Sequence, residues 1–87
     1  MLLKDKVAII TGAASVRGLG FATAKLFAEN GAKVVIIDLN GEASKAAAAA
    51  LGESHLGLAA NVTDEVQVQA AIEQIMAKYG RVDVLVN

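Results

Sequence analysis

Eighty-seven residues suffice for one small domain of modest stability. Apolar residues make up 55% and charged residues 20%, with a positive mean hydropathy, which excludes a disordered chain. A net charge of −1 excludes a basic field for nucleic acid or anionic lipid, and the lack of cysteine excludes disulfides and thiolate metal sites.

The N-terminus, Met-Leu-Leu-Lys-Asp-Lys, has no signal-peptide core, and no apolar stretch nears the roughly 20 residues of a membrane span. A soluble, cytoplasmic protein is expected. Lys6 to Thr11 is a short, mostly β-branched run without alternation, as a strand covered on both faces requires. A glycine-bearing turn, Gly12 to Gly20, leads into a helix from Phe21 to Asn30, with Gly20, Ala24, Phe27 and Gly31 on one face and Asn30-Gly31 as the stop. Lys33 to Asp38 is a second continuous apolar strand. Asn40 can cap the next helix, which carries Glu42 in its first turn, runs through five alanines (Ala46 to Ala50) and stops at Gly52. His55 to Ala60 reads as a weaker strand interrupted by Gly57. Thr63 or Asp64 caps a long helix with the stripe Val68, Ala71, Ile72, Ile75 and Tyr79, stopped at Gly80. Val82 to Val86 is the fourth strand.

The resulting order is β-α-β-α-β-α-β. Strands joined by helical crossovers lie parallel with right-handed connections, so the expected fold is a three-layer α/β structure: the first half of a doubly wound parallel sheet, strand order 3-2-1-4, over residues 1–87. The fourth strand is apolar throughout, which suits a central strand, yet it would form a sheet edge here. The chain is therefore expected to be the truncated N-terminal piece of a longer protein. That edge could also pair with its equivalent in another copy, giving a homo-oligomer.

The chemistry concentrates in the first turn. Amides at a helix N-terminus are unsatisfied and, with the helix dipole, favour an anion such as a pyrophosphate. Gly12 suits a tight exit from the strand, Gly18 close approach of backbone to phosphate, and Gly20 close packing of helix on strand. Asp38 ends the second strand, 18 residues after Gly20, where a carboxylate can accept both hydroxyls of an adenosine ribose and repel a 2′-phosphate. Arg17 pulls the other way, since a guanidinium beside Gly18 can pair with a 2′-phosphate, unless it is simply solvated or paired with Asp38. The balance favours NAD over NADP.

These residues resemble the N-terminal part of the classical short-chain dehydrogenase/reductase family. The resemblance is carried by Thr11-Gly12…Gly18-Leu19-Gly20, Asn30-Gly31-Ala32-Lys33-Val34-Val35, Asp38, Asn61-Val62-Thr63-Asp64 and Val82-Asp83-Val84-Leu85-Val86-Asn87. It extends over the whole chain, with reductases of the 3-oxoacyl-carrier-protein type as nearer kin. It implies a Rossmann-type nucleotide fold and an oxidoreductase that passes hydride between nicotinamide and an alcohol or ketone. It also implies cofactor contacts from Gly12, Ser15, Arg17, Gly18, Leu19, Gly20, Asp38, Leu39, Asn61, Val62 and Asn87. Two features depart from the family pattern. Five residues, Ala13 to Arg17, separate the first two glycines where the family has three. Asn61 stands where the family commonly has an aspartate that meets the adenine amino group, and an amide carbonyl is expected to accept the same bond.

No catalytic or metal-ligating residue is expected among the 87, because the family's serine, tyrosine and lysine lie further along the chain. Tyr79 sits on an apolar helical stripe with Asp83, not lysine, four residues on. His55 is a lone strand-start histidine, and Asp64 and Glu65 suit a helix start. Two other classes fit less well: half of an S-adenosylmethionine-dependent methyltransferase, whose ligand has no phosphate needing a helix N-terminus, and a non-catalytic half-fold that binds nucleotide or oligomerises.

Overall fold

The computed structural model describes residues 2–15 and 17–87; Val16, within the glycine loop, lies outside them. The elements alternate as β1 (Val7–Thr11), α1 (Leu19–Glu29), β2 (Lys33–Asp38), α2 (Gly41–Leu51), β3 (Leu56–Ala59), α3 (Glu65–Tyr79) and β4 (Val84–Val86). The four strands form one parallel sheet in the order β3-β2-β1-β4, as expected.

The unbroken apolar runs follow from burial on both faces. Val7, Ile9, Val35, Ile37 and Leu58 pack against Ala71 and Ile75 of α3. Their neighbours Ile10, Val34 and Ile36 point the other way, onto Ala24 of α1 and Ala47 of α2. The period of two along each strand thus feeds two separate cores. On α3 the buried positions are Ala71 and Ile75, with Ile72 and Tyr79 packed beside them, so the helical stripe faces the sheet.

Caps set the helix limits. The Asn40 side chain accepts from Ala43 N at 3.1 Å to open α2, and the Asp64 carboxylate accepts from Val66 N and Gln67 N to open α3. Gly80 closes α3 in the left-handed region at φ 77°. Helix α1 starts at Leu19, two residues before the expected Phe21, because Gly18 is extended (φ −86°, ψ 165°) and already serves as N-cap.

Two expectations for the strands change. Strand β3 runs through Gly57 without interruption, pairing it with Ile36. A Cβ at Gly57 would lie 2.3 Å from Ser44 O and 2.5 Å from Lys45 N, so the glycine lets the backbone of α2 rest directly on the strand. Strand β4 begins at Val84 rather than Val82, because the Asp83 side chain enters the ladder itself. Its Oδ2 accepts from Val7 N at 2.9 Å, while Asp83 N donates to Val7 O at 2.9 Å. Arg81 holds that carboxylate from outside through two bonds of 2.8 and 2.7 Å.

Candidate functional site

The register brings the C-terminal ends of β1 and β2 side by side, with Thr11 opposite Ile37 and Asp38 opposite Ala59. Beyond these ends the backbone stays tied: Gly12 N donates to Ile37 O at 3.1 Å, and Ala60 N to Asp38 O at 3.0 Å. The chain splays between the tethers and leaves a cleft of about 380 Å³ at the carboxyl edge of the sheet, the usual place for a ligand in an open α/β fold. Gly12, Asp38, Leu39, Asn61 and Val62 line it together with Thr11 and Thr63. A larger hollow of about 600 Å³ lies on the outside of α1 and α2, around Phe21 and Leu51. It is mostly apolar and gathers only Lys25 and Glu29 as charged groups, so the smaller cleft has the better claim to chemistry.

The three loop glycines do different jobs. Gly12 has φ +71° and open space around it, so its backbone conformation demands glycine. Gly20 is constrained by contact instead: a Cβ there would lie 3.1 Å from Gly12 O and from Ala13 Cα. Gly18 has neither constraint. Its backbone is extended, and the nearest atom to an added Cβ is Ser15 O at an ordinary 3.4 Å.

Helix α1 differs from α2 and α3 at its start. No side chain caps it and no acidic residue occupies its first turn, whereas α2 and α3 have both. The Gly18 amide turns back to Ser15 O at 3.0 Å, and the helical ladder begins with Ala22 N to Gly18 O at 3.2 Å. The Leu19, Gly20 and Phe21 amides precede that first helical bond and, among the described residues, meet no side-chain acceptor.

Asp38 is half-buried at the cleft, and its Oδ1 accepts from Asn40 N at 3.3 Å. Arg17 is exposed and pairs with no described carboxylate, so the Arg17–Asp38 pair left open by the sequence does not form; among the described residues the ion pair is Arg81 with Asp83. Leu39 and Val62 flank the cleft with exposures of 74% and 53%. Ser15 on the glycine loop and Leu19 at the start of α1 are exposed, Gly18 and Gly20 are half-buried, and all four lie outside the walls of the cleft. Asn87 lies across β1, where its Oδ1 accepts from Thr11 Oγ1 at 3.2 Å, and it faces a neighbouring hollow of about 320 Å³.

Asn61 departs from expectation in detail. Its Oδ1 already accepts from Thr63 N at 3.0 Å and from Thr63 Oγ1 at 2.6 Å. Thr63 lines the cleft as well, although its sequence context, an Asn-x-Thr turn ahead of a capped helix, marks it only as a candidate cap.

The remaining candidates serve the fold. His55 Nδ1 accepts from Val34 N at 3.0 Å, and burial, then Lys33, push the imidazole below its ordinary pKa. Tyr79 donates its hydroxyl to Ser54 O at 2.8 Å, and burial pushes the phenol up. Among the described residues no three His, Asp or Glu side chains gather as metal ligands, and no helix is long and apolar enough to cross a membrane.

A sequence profile of the short chain dehydrogenases matches residues 6–87. This chain is a short chain dehydrogenase family member. Within the family it is 44% identical, over its whole length, to an uncharacterized short-chain type dehydrogenase/reductase of Sinorhizobium fredii, of which it covers 36%. It is 47% identical over 98% of its length to D-threitol dehydrogenase of Mycolicibacterium smegmatis, covering 33% of that enzyme. The crystal structure of a 3-ketoacyl-(acyl-carrier-protein) reductase from Brucella melitensis, complexed with NADH, superimposes with a TM-score of 0.89 at 44% identity, over 95% of this chain and 34% of that one. The chain thus spans about a third of the length of the relatives it matches.

Proposed function

We propose that this chain is the NAD(H)-binding portion of an oxidoreductase, with the dinucleotide lying along the carboxyl edge of the sheet. The observation that carries the reading is the bare N-terminus of α1 beside a half-buried carboxylate at the end of β2. A diphosphate supplies the charge that α1 lacks in its first turn. Gly18 supports this assignment, since nothing within the fold requires glycine there and a phosphate approaching the loop would. Asp38, Leu39 and Val62 then surround an adenosine: the carboxylate takes the ribose hydroxyls and the two aliphatic side chains cover the base. Asn61, with Val62, meets the edge of that base. Ser15, Arg17 and Leu19 approach the cofactor from the loop, and Asn87 from the end of β4.

The residues present fit the group, and when bound it would supply hydride chemistry at nicotinamide. This chain's own part is grip and orientation. In the whole protein the substrate would be an alcohol or ketone, and the proton would be handled by the serine, tyrosine and lysine that the family carries beyond these residues. Asp38 favours NAD over NADP, because a 2′-phosphate would face its carboxylate. Arg17 is exposed and engages no described carboxylate, so it does not offset that repulsion by neutralising Asp38.

Calorimetric titration with NADH and NADPH tests the reading. NADH is expected to bind more tightly. Asp38→Ala is expected to weaken NADH about 10- to 100-fold, the worth of hydrogen bonds to a charged group, and to narrow the preference. Equal affinities untouched by the substitution would remove it.

A further inference from the structure

The turn between β3 and α3 fixes which hydrogen-bonding function Asn61 can offer the cleft. A carbonyl oxygen has two lone pairs, and both on Asn61 Oδ1 are taken, by Thr63 N at 3.0 Å and Thr63 Oγ1 at 2.6 Å. Rotating the amide by half a turn would set its NH2 against the Thr63 backbone N–H, which can only donate, although the Thr63 hydroxyl could turn to accept. The backbone around it is held as well: Asn61 N donates to Gln67 Oε1 at 2.8 Å, Asp64 N donates to Asn61 O at 3.0 Å, and Gln67 Nε2 reaches Asp64 Oδ2 at 3.3 Å. The side-chain NH2 donates to no described residue. Asn61 therefore meets a ligand in the cleft as a donor, and its acceptor is spent inside the turn.

We propose that Asn61 is a specificity residue that donates to an acceptor on the purine edge, so that the site accepts a 6-oxopurine dinucleotide as readily as the 6-amino one. The proposal rests on the dinucleotide reading above. An acceptor at this position would select for the exocyclic amino group of adenine, because the carbonyl of hypoxanthine would then face a lone pair. An NH2 has no such preference: it can donate to a ring nitrogen of adenine or to the O6 of hypoxanthine.

The test titrates the chain with NAD and with nicotinamide hypoxanthine dinucleotide, following backbone amides and the Asn61 side-chain NH2 by nitrogen–proton correlation spectra. Both ligands are expected to bind within about threefold of each other, less than the tenfold that one hydrogen bond is worth, and both should move the Asn61 NH2 signals. Asn61→Asp keeps an acceptor for Thr63 and turns a second acceptor to the base, so this variant should disfavour the hypoxanthine ligand by about tenfold or more. The proposal is overturned if the unmodified chain already shows that tenfold discrimination. It is equally overturned if the Asn61 NH2 signals stay fixed while the Gly18 and Asp38 amides shift. If neither ligand moves any cleft signal, the dinucleotide reading itself fails, and this proposal with it; that result is distinct from discrimination between two bound ligands.

Discussion

Gly57→Ala adds one methyl group where α2 rests on β3. The ideal Cβ would lie 2.3 Å from Ser44 O, 2.4 Å from Ser44 C and 2.5 Å from Lys45 N. These are backbone atoms of a helix interior, so no side chain can swing aside. Ordinary carbon–oxygen contact needs about an ångström more, so the first turns of α2 must lift off the sheet. Lifting them uncovers Ser44, Ala47 and Ala48, all 3% exposed or less. Overpacking of this kind costs about 1–3 kcal/mol, and the clash with rigid backbone places this site at the upper end. For a domain of this size the urea slope is about 1 kcal/mol/M, so the midpoint followed by far-UV circular dichroism should fall by about 2–3 M. A control is available at Gly80, which has φ +77° but nothing within 4 Å of an added Cβ. Gly80→Ala should cost only the left-handed backbone strain, about 1 kcal/mol. If Gly57→Ala unfolds within about 0.5 kcal/mol of the parent, the ordinary noise of a surface substitution, then α2 does not ride on β3 as described.

Gly18→Ala has room for its methyl group but makes a poorer N-cap for α1, so the thermal midpoint should fall by only a few degrees while NADH affinity falls by about tenfold in calorimetry. Acid should weaken the fold through His55. Its folded pKa lies below the ordinary 6.5, so its contribution is fully present above 6.5 and is lost as pH falls through the folded value; urea midpoints from pH 8 to 5 should show the loss, and His55→Asn, which keeps an acceptor for Val34 N, should flatten it. Asp83 acts at lower pH, because Arg81 and then Val7 N hold its carboxyl below the usual range. Its stabilisation is present above the ordinary value of 3.8 and is lost as pH falls through the depressed one, so Asp83→Asn should remove that part of the acid transition. Steady-state assays of the 87-residue chain with NAD and simple alcohols should show no turnover, since the proposed role of these residues is cofactor grip.

Much of the layout could be read from residue order because local and global preferences agree. Lys33 to Asp38 is apolar on both faces and forms β2 over that span, since it is central and covered twice. Asn40 and Asp64 cap the helices they precede, because a short polar side chain just ahead of an apolar stripe has few better uses. What escaped is what depends on distant partners. Gly57 looked like a weakness in β3 until α2 arrived on top of it. Asp83 looked like part of a strand, yet its carboxylate reaches β1 across 76 residues of chain and shortens β4. The carboxamide of Asn61 is symmetric in outline, so the direction it faces follows from where Thr63 sits, which composition and spacing do not state.

The division of each strand between two cores bears on where this chain tolerates a change of length. Val35 and Ile36 are covalent neighbours committed to opposite layers, so deleting or adding one residue within β2 would exchange the occupants of both at once. The glycine loop has no such bookkeeping. Its two surplus residues fall between Gly12, anchored to Ile37 O, and the start of α1, pressed against Gly12 through Gly20, and neither anchor moves the strands out of step. Growth or trimming of this chain is thus confined to the rim above the carboxyl edge, while the sheet beneath keeps a single admissible length.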